Sequence, residues 1–224
     1  MNNKSALYGA ISTIAVLTTW FYALKFAPSE EHMGEVYRII YLHVPAAITA
    51  FLSSFVLFVF SVAALRKSAV NAAIWARATA EVGLLFTILT LATGSIWGRP
   101  TWGVWWTWDA RLTTTLLLAL LYAGYLILYY SMDAGKTRDK ALSILGILIF
   151  ADVPIIYKSV SWWRTLHQPP SILRREGSTM APEMLSTLGM CFAALVLMAS
   201  FLIYMRYKNL KLSEEIEEIS LSSL

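Results

Sequence analysis

Six apolar runs, at about residues 6–24, 44–65, 80–97, 112–132, 141–157 and 184–205, constrain what this chain can fold into. At 1.5 Å per helical residue, a run of about 20 residues approaches the roughly 30 Å hydrocarbon core of a bilayer. The expected fold is all-α: a polytopic integral membrane protein with six transmembrane helices. Composition agrees, because 58% hydrophobic and 14% charged residues in a chain of 224 leave too little polar surface for a soluble domain. No small-residue cleavage site follows the first run, which is therefore expected to be a retained helix and not a signal peptide. Pro45 is expected in the first turn of the second helix, where its missing N–H costs nothing. No long-period repeat and no second globular domain is visible.

Basic residues in the short connections set orientation. Lys4, Arg66, Lys67, Arg77, Lys136, Arg138, Lys140, Arg206, Lys208 and Lys211 fall on one side, and Lys25, Arg38, Arg99, Arg111, Lys158, Arg164, Arg174 and Arg175 on the other. Ten against eight puts both termini in the cytoplasm, with 206–224 as a solvated amphipathic tail to which no chemistry is assigned. The pI near 9.2 and net charge of +4 reflect these loop cations and are no argument for nucleic acid. The single Cys191 supplies neither a disulfide framework nor a thiolate metal site. C-x-x-C-H is absent, so the chain does not itself attach c-type haem covalently.

Between the third and fourth runs lies WGRPTWGVWWTWDAR, residues 97–111, with Trp97, Trp102, Trp105, Trp106 and Trp108. Gly98, Pro100 and Gly103 argue against one continuous helix through its first half. Two readings stand: an interfacial re-entrant anchor, or an indole platform for a large planar ligand, with Arg99, Asp109 and Arg111 as charged ends. The topology puts all three histidines on the same non-cytoplasmic face. His43 lies at the mouth of the second helix, and His167 lies in SWWRTLHQPPS, behind Trp162 and Trp163. Singly, each is more often a hydrogen-bonded interfacial residue than a ligand. Together, His43 and His167 are suited to be the two axial ligands of a haem iron. Arg38, Arg111 or Arg174 would pair with its propionates.

His32, among acidic residues, is expected to be a solvated loop residue. A zinc site lacks four ligands at metal spacing. Glu81 is expected to snorkel to water from the cytoplasmic end of its helix, while Asp152 either bonds backbone freed by Pro154 or has a functional role. No acid–base or nucleophile set identifies an enzyme. Two rival classes remain: a haem transporter with a polar path through Glu81, Thr87, Thr90, Thr93 and Ser95, and a structural membrane subunit that binds no cofactor.

WGRPTWGVWWTWDARLTT resembles the tryptophan-rich WWD signature of haem-handling proteins in cytochrome c maturation. YRIIYLHVPAA and SWWRTLHQ resemble the two histidine segments that flank it in the CcmC family. The resemblance spans nearly the whole chain. It implies a haem-handling subunit in the bacterial inner membrane, binding haem b at the outer face through His43 and His167. Trp102, Trp105, Trp106, Trp108 and Asp109 would form the platform, with Trp97 completing the cradle. The family presents haem to the periplasmic chaperone CcmE, beside the ATP-driven CcmA/CcmB pair and the small membrane protein CcmD. This chain has no Walker A sequence, so energy from ATP must come from another subunit.

Overall fold

A computed structural model of the chain describes residues 3–66, 71–168, 172 and 177–222. Lys67, Pro169, Pro170, Arg174 and Arg175, which figured above, lie outside the described residues. The order is α1 (Asn3–Lys25), a 3-10 turn (Glu35–Ile39), α2 (Ile40–Leu65), α3 (Ala72–Trp102), α4 (Ala110–Ser131), α5 (Lys136–Trp162) and α6 (Pro182–Ser222). All six α-helices are long and apolar enough to cross a membrane. The protein is a polytopic all-α membrane protein.

Helix α2 is central, packing on α3, α5 and α6, while α1 lies against α6 and α4 against α5 and α3. The main core joins Leu57 of α2, Ala76 and Ala80 of α3, Leu118 and Tyr122 of α4, and Ile149 and Ile156 of α5. Small residues let large ones in. Gly83 faces the Tyr122 ring and Gly146 faces Ser61, so a Cβ at either position would collide with the neighbouring helix.

Several helices outrun their apolar cores. Helix α2 starts at Ile40, which puts Pro45 inside the helix instead of in its first turn. Helix α3 continues through Gly98, Arg99 and Pro100 to Trp102, so the break expected in the first half of the tryptophan stretch falls at Gly103 and not at Gly98 or Pro100. Pro100 sits in the last turn, where only the Ile96 carbonyl loses its intrahelical donor. Termination falls to Gly103, whose φ of 80° is the left-handed cap conformation. Its N–H donates to the Arg99 carbonyl at 3.1 Å, and the Arg99 guanidinium donates to the Gly103 carbonyl. The connection between α3 and α4 is therefore only residues 103–109.

Glu81 does not snorkel. The Arg206 guanidinium donates two hydrogen bonds to its carboxylate, and Arg77 Nε lies 3.3 Å away. Arg77 also stacks on Tyr129, 3.6 Å from the ring centroid. A half-buried carboxylate is thus paired across α3 and α6, as burial requires. Asp152 is buried, and neither of its oxygens has a hydrogen-bond partner among the described residues, so it does not bond the backbone opened by Pro154. His32 is exposed in its loop, where the Glu30 carboxylate accepts from the His32 and Met33 N–H groups at 2.9 and 2.6 Å.

Candidate functional site

At the end of the bundle where α3 meets α4, a cavity of about 410 Å³ opens between α2, α3, α4 and α5. That volume lies within the ~300–1,000 Å³ typical of small-molecule sites. His43, Trp97, Trp102, Trp106, Arg111 and His167 all line it, on a mainly apolar wall that includes Val44, Phe51, Leu91 and Leu118.

His43 is held by the helices. It lies in the first turn of α2 and meets Trp97 of α3 edge to face, with ring centroids 5.7 Å apart and planes at 76°. Tyr37 meets the same indole at 5.7 Å. Gly94 gives the imidazole room, because a Cβ there would lie 3.1 Å from His43 Cε1. His43 Nδ1 is 3.0 Å from Thr93 Oγ1, and the Thr93 hydroxyl already donates to the Leu89 carbonyl at 2.7 Å. With the hydroxyl proton directed to that carbonyl, the oxygen accepts from His43 Nδ1–H. This assigns the tautomer with a free lone pair on Nε2, the form that binds a metal.

His167 is held by a loop, and Asp109 fixes that loop. Asp109 caps α4, accepting from the Arg111 and Leu112 N–H groups at 2.8 and 3.4 Å. Its other oxygen accepts from the Thr165 hydroxyl and, at 2.9 Å, from the Leu166 N–H. Thr165 Oγ1 in turn accepts from the His167 N–H at 3.0 Å. Burial pushes the Asp109 carboxyl upward, but the hydrogen bonds from Thr165, Arg111, Leu166 and Leu112 outweigh it and hold the group below its ordinary value.

His167 Nδ1 has two neighbours, Arg111 Nη1 at 3.2 Å and the Gln168 carbonyl at 3.0 Å. These contacts exclude each other: the carbonyl needs Nδ1–H, whereas an arginine only donates. The carbonyl arrangement leaves Nε2 free for a metal. Burial, and then the Arg111 guanidinium, hold the His167 imidazole below its ordinary protonation range.

The other expected site residues stand apart from the cavity. Trp105 and Trp108 are 59% and 77% exposed and are not among its lining. Asp109 ties the α4 terminus to the His167 loop from outside it. Arg38 is engaged elsewhere, donating to Glu35 at 2.6 Å and to the Ala23 carbonyl at 2.6 Å. Trp162 and Trp163 pair edge to face with each other, both exposed. Sequence reasoning missed Thr93, Gly94 and Tyr37 as supports of His43. One signal was available for Asp109: an aspartate directly before an apolar helical run is an N-cap pattern.

A helical membrane bundle with a tryptophan-walled cavity and two imidazoles at one end defines the class. The family model described as heme exporter protein C (CcmC) matches residues 2–222. The heme exporter protein C of Escherichia coli is 39% identical over 209 residues, covering 92% of this chain and 83% of that one. The protein of the same name from Haemophilus influenzae is 37% identical over 211 residues, covering 94% and 86%. A putative cytochrome c biosynthesis ccmC-like mitochondrial protein of Marchantia polymorpha is 36% identical over 196 residues, covering 86% and 82%. The chain belongs to the heme exporter protein C family.

Proposed function

We propose that this protein handles haem in cytochrome c maturation by holding it at the outer face of the inner membrane and presenting it to an acceptor. The reading rests chiefly on one observation: His43 and His167, 124 positions apart in the sequence, line the same cavity. Two neutral imidazoles suit an iron whose remaining four ligands come from a ring. Among the described residues, no three His, Cys, Asp or Glu side chains converge to hold a metal ion by themselves. The Trp97 indole N–H is buried without an acceptor among the described residues, and Arg111 reaches the same cavity, so carboxylate groups on a ligand would find both an N–H donor and a cation there.

Trp97, Trp102 and Trp106 wall the cavity, while Trp105 and Trp108 turn outward beside it. In this reading the inner indoles retain haem b, and the outer ones meet the acceptor, the chaperone CcmE. CcmA, CcmB and CcmD complete the assembly. Both termini then face the cytoplasm, at the opposite end of the bundle. A polar transport path gains little support, since Thr87, Thr90 and Thr93 donate their hydroxyl protons to carbonyls of their own helix.

Purified protein is expected to carry haem absorbance that disappears in the His43→Ala/His167→Ala double variant. Stoichiometric haem in that variant would refute the assignment. Trp106→Ala should weaken retention, whereas Trp105→Ala/Trp108→Ala should retain haem and slow its transfer; wild-type transfer in the latter would reduce these two indoles to interfacial anchors.

A further inference from the structure

At the end of the bundle opposite the cavity, the first turns of α3 and α5, the last turns of α4 and Glu214 of α6 enclose a second cleft, of about 250 Å³. Two arginines line it. The side chains of Arg77, from α3, and Arg138, from α5, are only 12% and 15% exposed. Their guanidinium carbons lie 3.6 and 4.4 Å from the centroid of the same ring, Tyr129, so the two cations stand no more than 8.0 Å apart.

Neither has the acceptors that a largely buried guanidinium needs. Among the described residues, both Nε–H groups are buried without a hydrogen-bond acceptor. Arg77 donates to the Tyr130 hydroxyl at 3.0 Å, and the nearby Glu81 carboxylate already takes two hydrogen bonds from Arg206. Arg138 has only the carboxylate of its chain neighbour Asp139, at 3.8 Å, beyond hydrogen-bond length. The backbone adds to the positive field. Helices α3 and α5 both begin at the cleft, with the positive ends of their dipoles, and neither Asn71 nor Gly135 caps its helix with a side-chain hydrogen bond. Two carboxylates oppose an anion there. Asp139 is 48% exposed and so screened by water, and Glu214 has a partner of its own.

We propose that this cleft binds a phosphate group, with Arg138 and Arg77 donating to its oxygens. Stacking on Tyr129 holds both guanidinium forks in place beforehand, so little side-chain freedom is lost on binding. The phosphate belongs to the headgroup of an anionic phospholipid in the leaflet at that end, or to a soluble phosphate.

The test uses the full-length protein in nanodiscs of phosphatidylcholine, alone or mixed with phosphatidylglycerol. For a lipid source, native mass spectrometry of protein released from the mixed discs should show phosphatidylglycerol retained in preference to phosphatidylcholine. For a soluble source, inorganic phosphate added to the phosphatidylcholine discs should show a broadened phosphorus resonance. Either signal supports the site, and the one that appears identifies the source. Arg138→Gln should weaken that signal about tenfold or more, and Asp139→Asn should strengthen it about threefold. Because Arg138 has no hydrogen bond to lose among the described residues, its replacement tests the cleft without the folding risk of Arg77→Gln, which also gives up Tyr130. Lys140→Gln removes an exposed cation outside the cleft and should change neither signal. Absence of both signals in the wild type, a signal undiminished in Arg138→Gln, or an equal loss in Lys140→Gln would overturn the proposal.

Discussion

The two histidines reach the cavity by different means. His43 stands on a transmembrane helix, with Thr93 behind it, Gly94 beside it and Trp97 across it, all from α3. His167 stands on an irregular segment whose placement depends on Asp109, from the start of α4. Packed helices move as units, whereas a loop tied by a few hydrogen bonds opens locally at lower free energy. In our reading, one imidazole is the fixed ligand and the other the releasable one. A protein that must both hold a ligand and give it up needs that asymmetry.

The largest expected effect is on the fixed side. His43→Ala should lower haem retention roughly 100-fold, about 2.7 kcal/mol, and more than His167→Ala does. Equal losses would remove the asymmetry. Next is the tie itself. Asp109→Asn weakens hydrogen bonds to a charged acceptor worth about 1.5–3 kcal/mol, so amide exchange at residues 164–168 should accelerate at least tenfold while α2 and α3 exchange as before. Unchanged exchange in the loop would deny Asp109 this role. Thr93→Val removes the acceptor for His43 Nδ1–H and should cost about tenfold in affinity, as loss of a supporting partner of a metal ligand does. The smallest steric effect is Gly94→Ala, which places a methyl 3.1 Å from His43 Cε1 and should shift the haem absorption band with only a few-fold loss of retention.

Acid sharpens the same contrast. The His167 imidazole is held below its ordinary value of 6.5, so it stays neutral, and able to bind iron, at a pH where a solvated histidine has taken up a proton. Retention is therefore expected to persist as pH falls through 6.5 and to fail only at lower pH. For folding the sign is the same: the unfolded chain binds the proton first, so His167 contributes to loss of stability as pH falls below 6.5. In Arg111→Gln the guanidinium no longer opposes protonation, and the fall in retention should move to higher pH. An unmoved profile would show that Arg111 does not act on His167.

Much of this was legible in the sequence because it depends on length and residue type. Six runs long enough for a bilayer give six helices, and His43, His167, Trp97, Trp102, Trp106 and Arg111 do come together. Their surroundings were harder to read. Of the three expected helix breakers, Gly98 and Pro100 do not stop α3, since a proline in a last turn costs one hydrogen bond, while Gly103 does. Glu81 looked like a snorkelling residue because its partner Arg206 lies 125 positions away. Tryptophan density, likewise, did not distinguish the three indoles that wall the cavity from the two that face outward.

The most direct test of the central claim is the spin state of bound ferric haem, read by electron paramagnetic resonance on the purified protein. Two imidazoles on one iron predict a low-spin signal in the wild type that becomes high-spin in both His43→Ala and His167→Ala. A low-spin signal unchanged by either substitution would contradict the account.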